Sequence, residues 1–293
     1  MNLKTPILKK FWKICEKNDA KRPIVPPDVE MDMVRDIPYI EDGKSTHMLD
    51  IYYPKGTVDK LHTIIDIHGG GLMYGTRDLN LNYNLHLAAH GFTVISIDYP
   101  LAPEVVFADQ LRDIMRAFKW IFEHAEEYPQ VDRDNLFLTG DSAGGLLAAY
   151  SAITNNSDEL CKYYNTQKSG LNFNAIGLTC GMFKIRRGAI AWACSSTVIG
   201  KDYKKMPYLT FEEVLDLGEL PPAWLLSSEQ DFIKGATFYM ADLLEKRGHD
   251  YELEFFHKVK EHDLPHVFTV GWPQYKESRQ ANQSMLDFFE RHA

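Results

Sequence analysis

From residue 61 onward, short runs of consecutive apolar residues alternate with longer stretches in which apolar positions recur every three or four residues. The runs Thr63–Ile67, Phe92–Ile97, Leu136–Thr139, Ala175–Thr179, Ala223–Ser227 and Tyr251–Phe256 read as strands. Between them, 79–90, 105–125, a segment from Ser142 to about Thr154, 234–247 (stopped by Gly248) and 275–291 read as helices. Thr63–Ile67 and Phe92–Ile97 are apolar almost throughout, the pattern of strands covered on both faces, as in a parallel sheet between helical layers.

The N-terminal part is organised differently. Ile7, Leu8, Phe11, Trp12 and Cys15 lie at helical spacing, predicting an amphipathic helix over 6–19, and Pro23, Pro26 and Pro27 then break the chain into a linker. Two further strands, Met33–Ile40 and Met48–Tyr53, flank the turn Asp42-Gly43-Lys44. The predicted fold class is therefore α/β: a central, mostly parallel eight-stranded sheet flanked by helices. One interval breaks the alternation. Residues 181–216 carry Phe183, Ile185, Trp192, Val198, Tyr203 and Phe211 interleaved with charge, too apolar for a disordered linker, and read as a lid insertion. The expected organisation is an N-terminal segment, 1–30, and one α/β domain, 31–293, with an insertion at about 181–216.

Composition narrows the partners. The 293 residues carry a net charge of −9 with no basic block, which argues against nucleic acid. No apolar run reaches the ~20 residues of a membrane span, and Lys4, Lys9 and Lys10 are not followed by an apolar stretch of signal-peptide length. Four cysteines (Cys15, Cys161, Cys180, Cys194) are widely spaced, as expected of reduced thiols in a cytoplasmic protein.

Two strings carry chemistry. Gly140-Asp141-Ser142-Ala143-Gly144 joins an apolar run to a small-residue helix, the setting of a nucleophile elbow that exposes a serine hydroxyl. His68-Gly69-Gly70-Gly71 follows the strand Thr63–Ile67 and offers backbone N–H groups to a developing oxyanion. The N–H of Ala143, first in its helix, points the same way. A serine needs a base, and the base needs a carboxylate to hold its tautomer. Asp231 follows the strand ending at Ser227, with Glu229 its nearest competitor. His262 and His266 both follow Tyr251–Phe256. His266 precedes the apolar Val267-Phe268, whereas His262 lies among charges, so His266 is the expected base. The spacing His257, His262, His266 has no context of a metal site, and neither metal nor cofactor is expected.

These motifs resemble the hormone-sensitive-lipase-like branch of the α/β-hydrolases, the microbial esterases with a GDSAG elbow, over roughly residues 47–270. Asp98-Tyr99-Pro100-Leu101-Ala102-Pro103-Glu104 is similar to that branch's Asp-Tyr-Arg-Leu-Ala-Pro-Glu segment, and Leu264-Pro265-His266-Val267-Phe268 to its histidine loop. The resemblance implies Ser142 as nucleophile, Asp231 as acid and His266 as base. It also implies Gly70, Gly71 and Ala143 as oxyanion donors, His68 as a brace for the glycine loop, and a lid built from the N-terminal segment and the insertion. Pro100, Ala108, Leu146 and Val267 depart from the usual arginine, proline, asparagine and glycine. The expected activity is a serine carboxylesterase on short acyl chains, acetyl to about hexanoyl, with an acetylesterase one form of it. The expected partner is a small-molecule ester; nucleic acid and membrane are not expected, and a homodimer is allowed. A serine peptidase or amidase on the same triad, or a non-catalytic binding protein on this scaffold, are the rival readings.

Overall fold

A computed structural model describes residues 4–185 and 196–293, and the side chains of all of these except 4–9 and 11. The expected sheet is present: eight strands in the order β1-β2-β4-β3-β5-β6-β7-β8. They are β1 (Met31–Pro38), β2 (Met48–Pro54), β3 (Leu61–Ile67), β4 (Thr93–Ile97), β5 (Val131–Asp141), β6 (Ala175–Thr179), β7 (Ala223–Ser228) and β8 (Tyr251–Phe256). β1 and β2 pair antiparallel, as do β2 and β4, and all later pairings are parallel.

Every residue of β4, β6 and β7 is buried, in keeping with strands covered on both faces. α2 (Leu81–Ala88) and the C-terminal helix α9 (Lys276–Glu290) close one face, where Tyr83, Leu87, Met285 and Phe289 pack. α3 (Phe107–His124), α4 (Ala143–Asn155) and α7 (Lys234–Lys246) close the other through residues such as Ile114, Phe118, Leu147 and Met240. Fully burying each such side chain contributes roughly 1.5–3 kcal/mol. α1 (Lys4–Asp19) lies outside these layers, tied to the body by Trp12, whose indole N–H donates to the Met73 carbonyl at 2.6 Å.

Local differences from the sequence reading have physical causes. β5 begins five residues before Leu136. Its first half, Asp132-Arg133-Asp134-Asn135, is polar because only Asp132 of the four pairs with β3, at the rim of the sheet, and 133–135 fall in the irregularity between the His62 and Thr63 pairings. The segment expected as one helix over 79–90 splits into a 3-10 turn, Arg77–Asn80, and α2, with Arg77 and Asn80 drawn inward to buried carboxylates. Strand β1 occupies Met31–Pro38 rather than Met33–Ile40 and is kinked at Asp36, which has a positive φ of 58°. Three short helices went unpredicted: α5 (Asp158–Tyr164), α6 (Phe211–Val214) and α8 (Phe268–Gly271).

Candidate active site

The parallel register carries β3, β5, β7 and β8 to one edge of the sheet, and every proposed catalytic residue lies at or just beyond that edge. Ser142 follows β5 directly, with φ 52° and ψ −114°, the strained turn expected of an elbow. Its N–H donates to Thr179 O at 2.9 Å and its carbonyl accepts from Met182 N–H at 2.8 Å, so neighbouring backbone holds the strained residue from both sides. Glycine at 144 is obligatory, because a Cβ there would lie 1.9 Å from the Ile67 carbonyl oxygen.

Asp231 and His266 are brought together by an extension of the sheet beyond its strands. Gln230 and Pro265 form a parallel bridge, Leu264 N–H donates to Gln230 Oε1 at 2.7 Å, and Ser228 Oγ donates to Leu264 O at 2.6 Å. The loops after β7 and β8 are thereby stitched side by side. His266 Nδ1–H donates to Asp231 Oδ1 at 2.7 Å, and Ser142 Oγ–H donates to His266 Nε2 at 2.9 Å. All three side chains expected from the sequence meet in one chain of hydrogen bonds.

Asp231 is 1% exposed. Burial pushes its carboxyl up, but hydrogen bonds from His266, the Ile233 N–H (2.9 Å) and Ser227 Oγ (2.7 Å) outweigh this and hold it below the usual carboxylate value. The competitors stand elsewhere. Glu229 accepts from the Lys258 N–H at the surface, and His262 pairs with Glu277 at 2.9 Å beneath the ring of Tyr275. Cys180 places its thiol within 4.8 Å of the Asp231 and His266 ligand atoms; burial, reinforced by the Asp231 charge, pushes that thiol well above its ordinary pKa.

The glycine loop is held from beneath. The Gly69 N–H donates to Asp141 Oδ1 at 2.8 Å, and Asn80 Nδ2 donates to the same oxygen at 2.9 Å. Asn80 and Asn84 also donate to Asp66, a fully buried carboxyl that burial pushes up to about 7. His68 stacks on Tyr99 at 4.4 Å between centroids, and the Tyr99 hydroxyl donates to the His68 carbonyl at 2.7 Å. Burial holds the His68 imidazole down at about 4, neutral at physiological pH. Gly70, with φ 113°, turns the loop where a Cβ would lie 1.9 Å from Tyr74 O. Sequence reasoning missed this layer of Asp66, Asn80, Asn84 and Asp141, together with Ser227, Ser228 and Gln230. Asp141 alone carried a signal, as the acidic residue inside the elbow.

A cavity of about 660 Å³ opens over Ser142 and His266. Gly70, Gly71 and Tyr74 form one wall, Phe232, Val267 and Trp272 another, and Ile14, Cys15, Asn18, Asp19, Lys21 and Arg22 close it from the N-terminal segment. Phe232 lies over the His266 ring at 4.6 Å between centroids. Trp12 of the N-terminal helix and Phe183 of the expected insertion lie away from this cavity: Trp12 is bonded to Met73 O, and Phe183 is buried against Phe211. Trp192 and the side chain of Phe11 lie outside the described residues. Among the described residues no helix is long and apolar enough to cross a membrane.

The sequence profile of the BD-FAE family matches residues 49–205, more than half of the chain. Among curated proteins the chain is similar to carboxylesterase NlhH of Mycobacterium tuberculosis (strain H37Rv), 27% identical over 229 residues, covering 72% of this chain and 69% of that protein. Among solved structures it is similar to esterase B of Lactobacillus rhamnosis, with a TM-score of 0.91 and 27% identity over 98% of this chain and 94% of that one. That enzyme has also been solved inhibited by a tributyrin phosphonate, with a TM-score of 0.91 and 27% identity over 98% of this chain and 94% of that one. A bacterial heroin esterase shares the fold, with a TM-score of 0.71 at 21% identity over 96% of this chain and 89% of that one. The chain belongs to the BD-FAE family and is a carboxylic ester hydrolase of the α/β-hydrolase superfamily, of the hormone-sensitive-lipase-like kind that its motifs resemble.

Proposed function

We propose that the chain is a serine carboxylesterase that hydrolyses short-chain acyl esters, acetyl to about hexanoyl, through an acyl-enzyme on Ser142. The observation that carries this reading is the unbroken relay from Ser142 Oγ through His266 to Asp231, with separations of 2.9 and 2.7 Å. His266 Nε2 takes the hydroxyl proton as Oγ attacks the ester carbonyl, and Asp231 steadies the imidazolium. The oxyanion of the tetrahedral intermediate is held by the N–H groups of Gly70, Gly71 and Ala143. Among the described residues no chain acceptor competes for these three. One such donor is typically worth ~3–4 kcal/mol of barrier. His266 then gives its proton to the departing alcohol, and a water molecule repeats the cycle to release the acid.

The cavity has room for a short acyl group together with its alcohol, and its partly polar wall supports an ester of a small alcohol. Residues 1–30 act in this reading as the cover of the site, supported by the share of the wall that Ile14, Cys15 and Asn18 supply. The test is a p-nitrophenyl ester series from acetate to dodecanoate, on wild type and Ser142→Ala, with the acetanilide alongside. Activity that peaks at short chains, is lost in the alanine variant and is far weaker on the anilide is the expected result. Retained activity in Ser142→Ala overturns the nucleophile assignment, and an equal rate on the anilide makes the enzyme an amidase.

A further inference from the structure

The glycine loop ends in a turn that α1 grips from outside. The N–H groups of Met73 and Tyr74 both donate to the Gly70 carbonyl, at 3.2 and 3.0 Å. Gly70, Gly71 and Leu72 take φ of 113°, 64° and 66° in succession, and Leu72 is a buried residue in a region that side chains other than glycine rarely adopt. Such a backbone persists only where its surroundings over-determine it. The body supplies one restraint at Leu72 O, which accepts from the Ala102 N–H at 3.0 Å and from Gln110 Nε2 at 2.9 Å. A second comes from the N-terminal helix: Trp12 Nε1–H donates to Met73 O at 2.6 Å, and the Tyr74 hydroxyl bonds the Asp19 carboxylate.

A planar trans peptide points its C=O and its N–H in opposite directions. Trp12 therefore holds one end of the peptide between residues 73 and 74, and the other end, the Tyr74 N–H, holds Gly70 O. Gly70 O is in turn one end of the next peptide, whose far end is the Gly71 N–H assigned above to the oxyanion. Indole, peptide and peptide stand in series, and in such a chain each hydrogen bond polarises the next. Trp12 itself stands away from the cavity over Ser142, so whatever it contributes travels through the turn.

We propose that Trp12 is a positioning residue of the oxyanion hole: through the 73–74 peptide it aims and polarises the Gly71 N–H, so that docking of α1 completes the reaction centre. The proposal rests on Ser142 as the nucleophile and Gly71 as an oxyanion donor, and adds to that reading the residue that sets the donor.

The test measures kcat and KM for p-nitrophenyl butyrate, and Ki for 1,1,1-trifluorohexan-2-one, in the wild type, Trp12→Phe and Trp12→Ala. The ketone carbonyl takes Ser142 Oγ to give a tetrahedral adduct, so its Ki reads the oxyanion hole. Trp12→Phe keeps an aromatic ring on the turn and removes the N–H. Its kcat is expected to fall about three- to tenfold, the worth of one hydrogen bond, with KM within about twofold and Ki raised by the factor that kcat loses. Trp12→Ala is expected to match that kcat and to lower Tm as well. If Trp12 only packs α1 against the body, Trp12→Phe keeps the wild-type kcat, and that result overturns the proposal. So does a raised KM with kcat unchanged, or a lower kcat with Ki unchanged. Where circular dichroism and Tm show that Trp12→Phe has undocked α1, replacing Trp12 by 3-benzothienylalanine, an isostere with sulfur in place of the N–H, decides by the same outcomes. A ketone that fails to inhibit the wild type faults the Ser142 reading and the proposal with it; one that inhibits wild type and docked variant alike faults the assignment of Trp12 alone.

Discussion

His266 Nε2 stands 2.9 Å from Ser142 Oγ across 124 residues of sequence, and His262, four residues before it, is turned away to Glu277. The separation between the two histidines is set by the Gln230/Pro265 bridge, which pulls the loop end carrying His266 onto the edge of the sheet.

His266→Ala removes the one base that, among the described residues, bonds the Ser142 hydroxyl, and is expected to lower kcat by roughly four orders of magnitude. His262→Ala loses a partly exposed pair and a ring contact, so kcat should stay within a few-fold and stability fall by about 1 kcal/mol. Steady-state kinetics on a p-nitrophenyl ester check both, and the reverse ranking moves the base to His262.

Ser227 is the donor to Asp231 that the sequence did not signal. Removing its hydroxyl takes away one of the bonds that hold the carboxylate low, so Ser227→Ala should raise the pKa of Asp231. The expected outcome is a kcat reduced by about tenfold and an acid limb of the pH–rate profile displaced to higher pH. An unchanged profile contradicts this role for Ser227.

Two buried groups beneath the glycine loop give opposing pH dependences. The His68 imidazole falls from 6.5 to about 4 through burial, so over that window the unfolded chain binds a proton the folded one does not, and stability rises with pH. The Asp66 carboxyl rises from 3.8 to about 7 through burial, so the folded chain keeps a proton the unfolded one releases, and stability falls with pH over 3.8 to 7. In the wild type the two slopes offset each other. Asp66→Asn removes the second, exposing a rise of up to about 1.4 kcal/mol per pH unit, or about 5 °C in Tm between pH 4.5 and 6.5 beyond the wild-type change. Thermal melts at the two pH values check it, and parallel curves for the two proteins refute it.

Gly144→Ala drives a methyl group into the Ile67 and His68 carbonyls, backbone atoms with no flexible side chain to yield. The expected cost is above about 4 kcal/mol, read as lost soluble yield or a Tm lower by ten degrees or so. A Tm within two degrees of wild type would mean that the elbow and β3 are less tightly apposed than described.

The fold was legible wherever burial on both faces left a plain apolar signature. β4, β6 and β7 read as Phe92–Ile97, Ala175–Thr179 and Ala223–Ser227, within a residue of their observed bounds, because they carry no charged residue and only small hydroxyl side chains among the apolar ones. The start of β5 was hidden because rim positions tolerate Asp132 and Asp134. The meeting of Ser142, His266 and Asp231 was legible because the elbow imposes glycines and the fold imposes an order. The polar layer under the glycine loop was not. Asp66 sits near the end of a largely apolar strand and Asn84 in an ordinary helix, and only their link to Asp141 through Asn80 gives them a role. Val267, which stands where glycine is usual in the resembling esterases, has φ 54° and caps α8 in a left-handed conformation that a β-branched residue rarely adopts. The position demands that geometry, and the sequence alone showed only the departure.

Covalent labelling with an alkyl p-nitrophenyl phosphonate, followed by peptide mass spectrometry, tests the reaction centre most directly. Stoichiometric phosphonylation of the peptide containing Ser142, in step with loss of esterase activity and absent from Ser142→Ala, is the predicted result. An adduct on another residue that tracks the loss of activity, or full inactivation with Ser142 unmodified, would contradict the account.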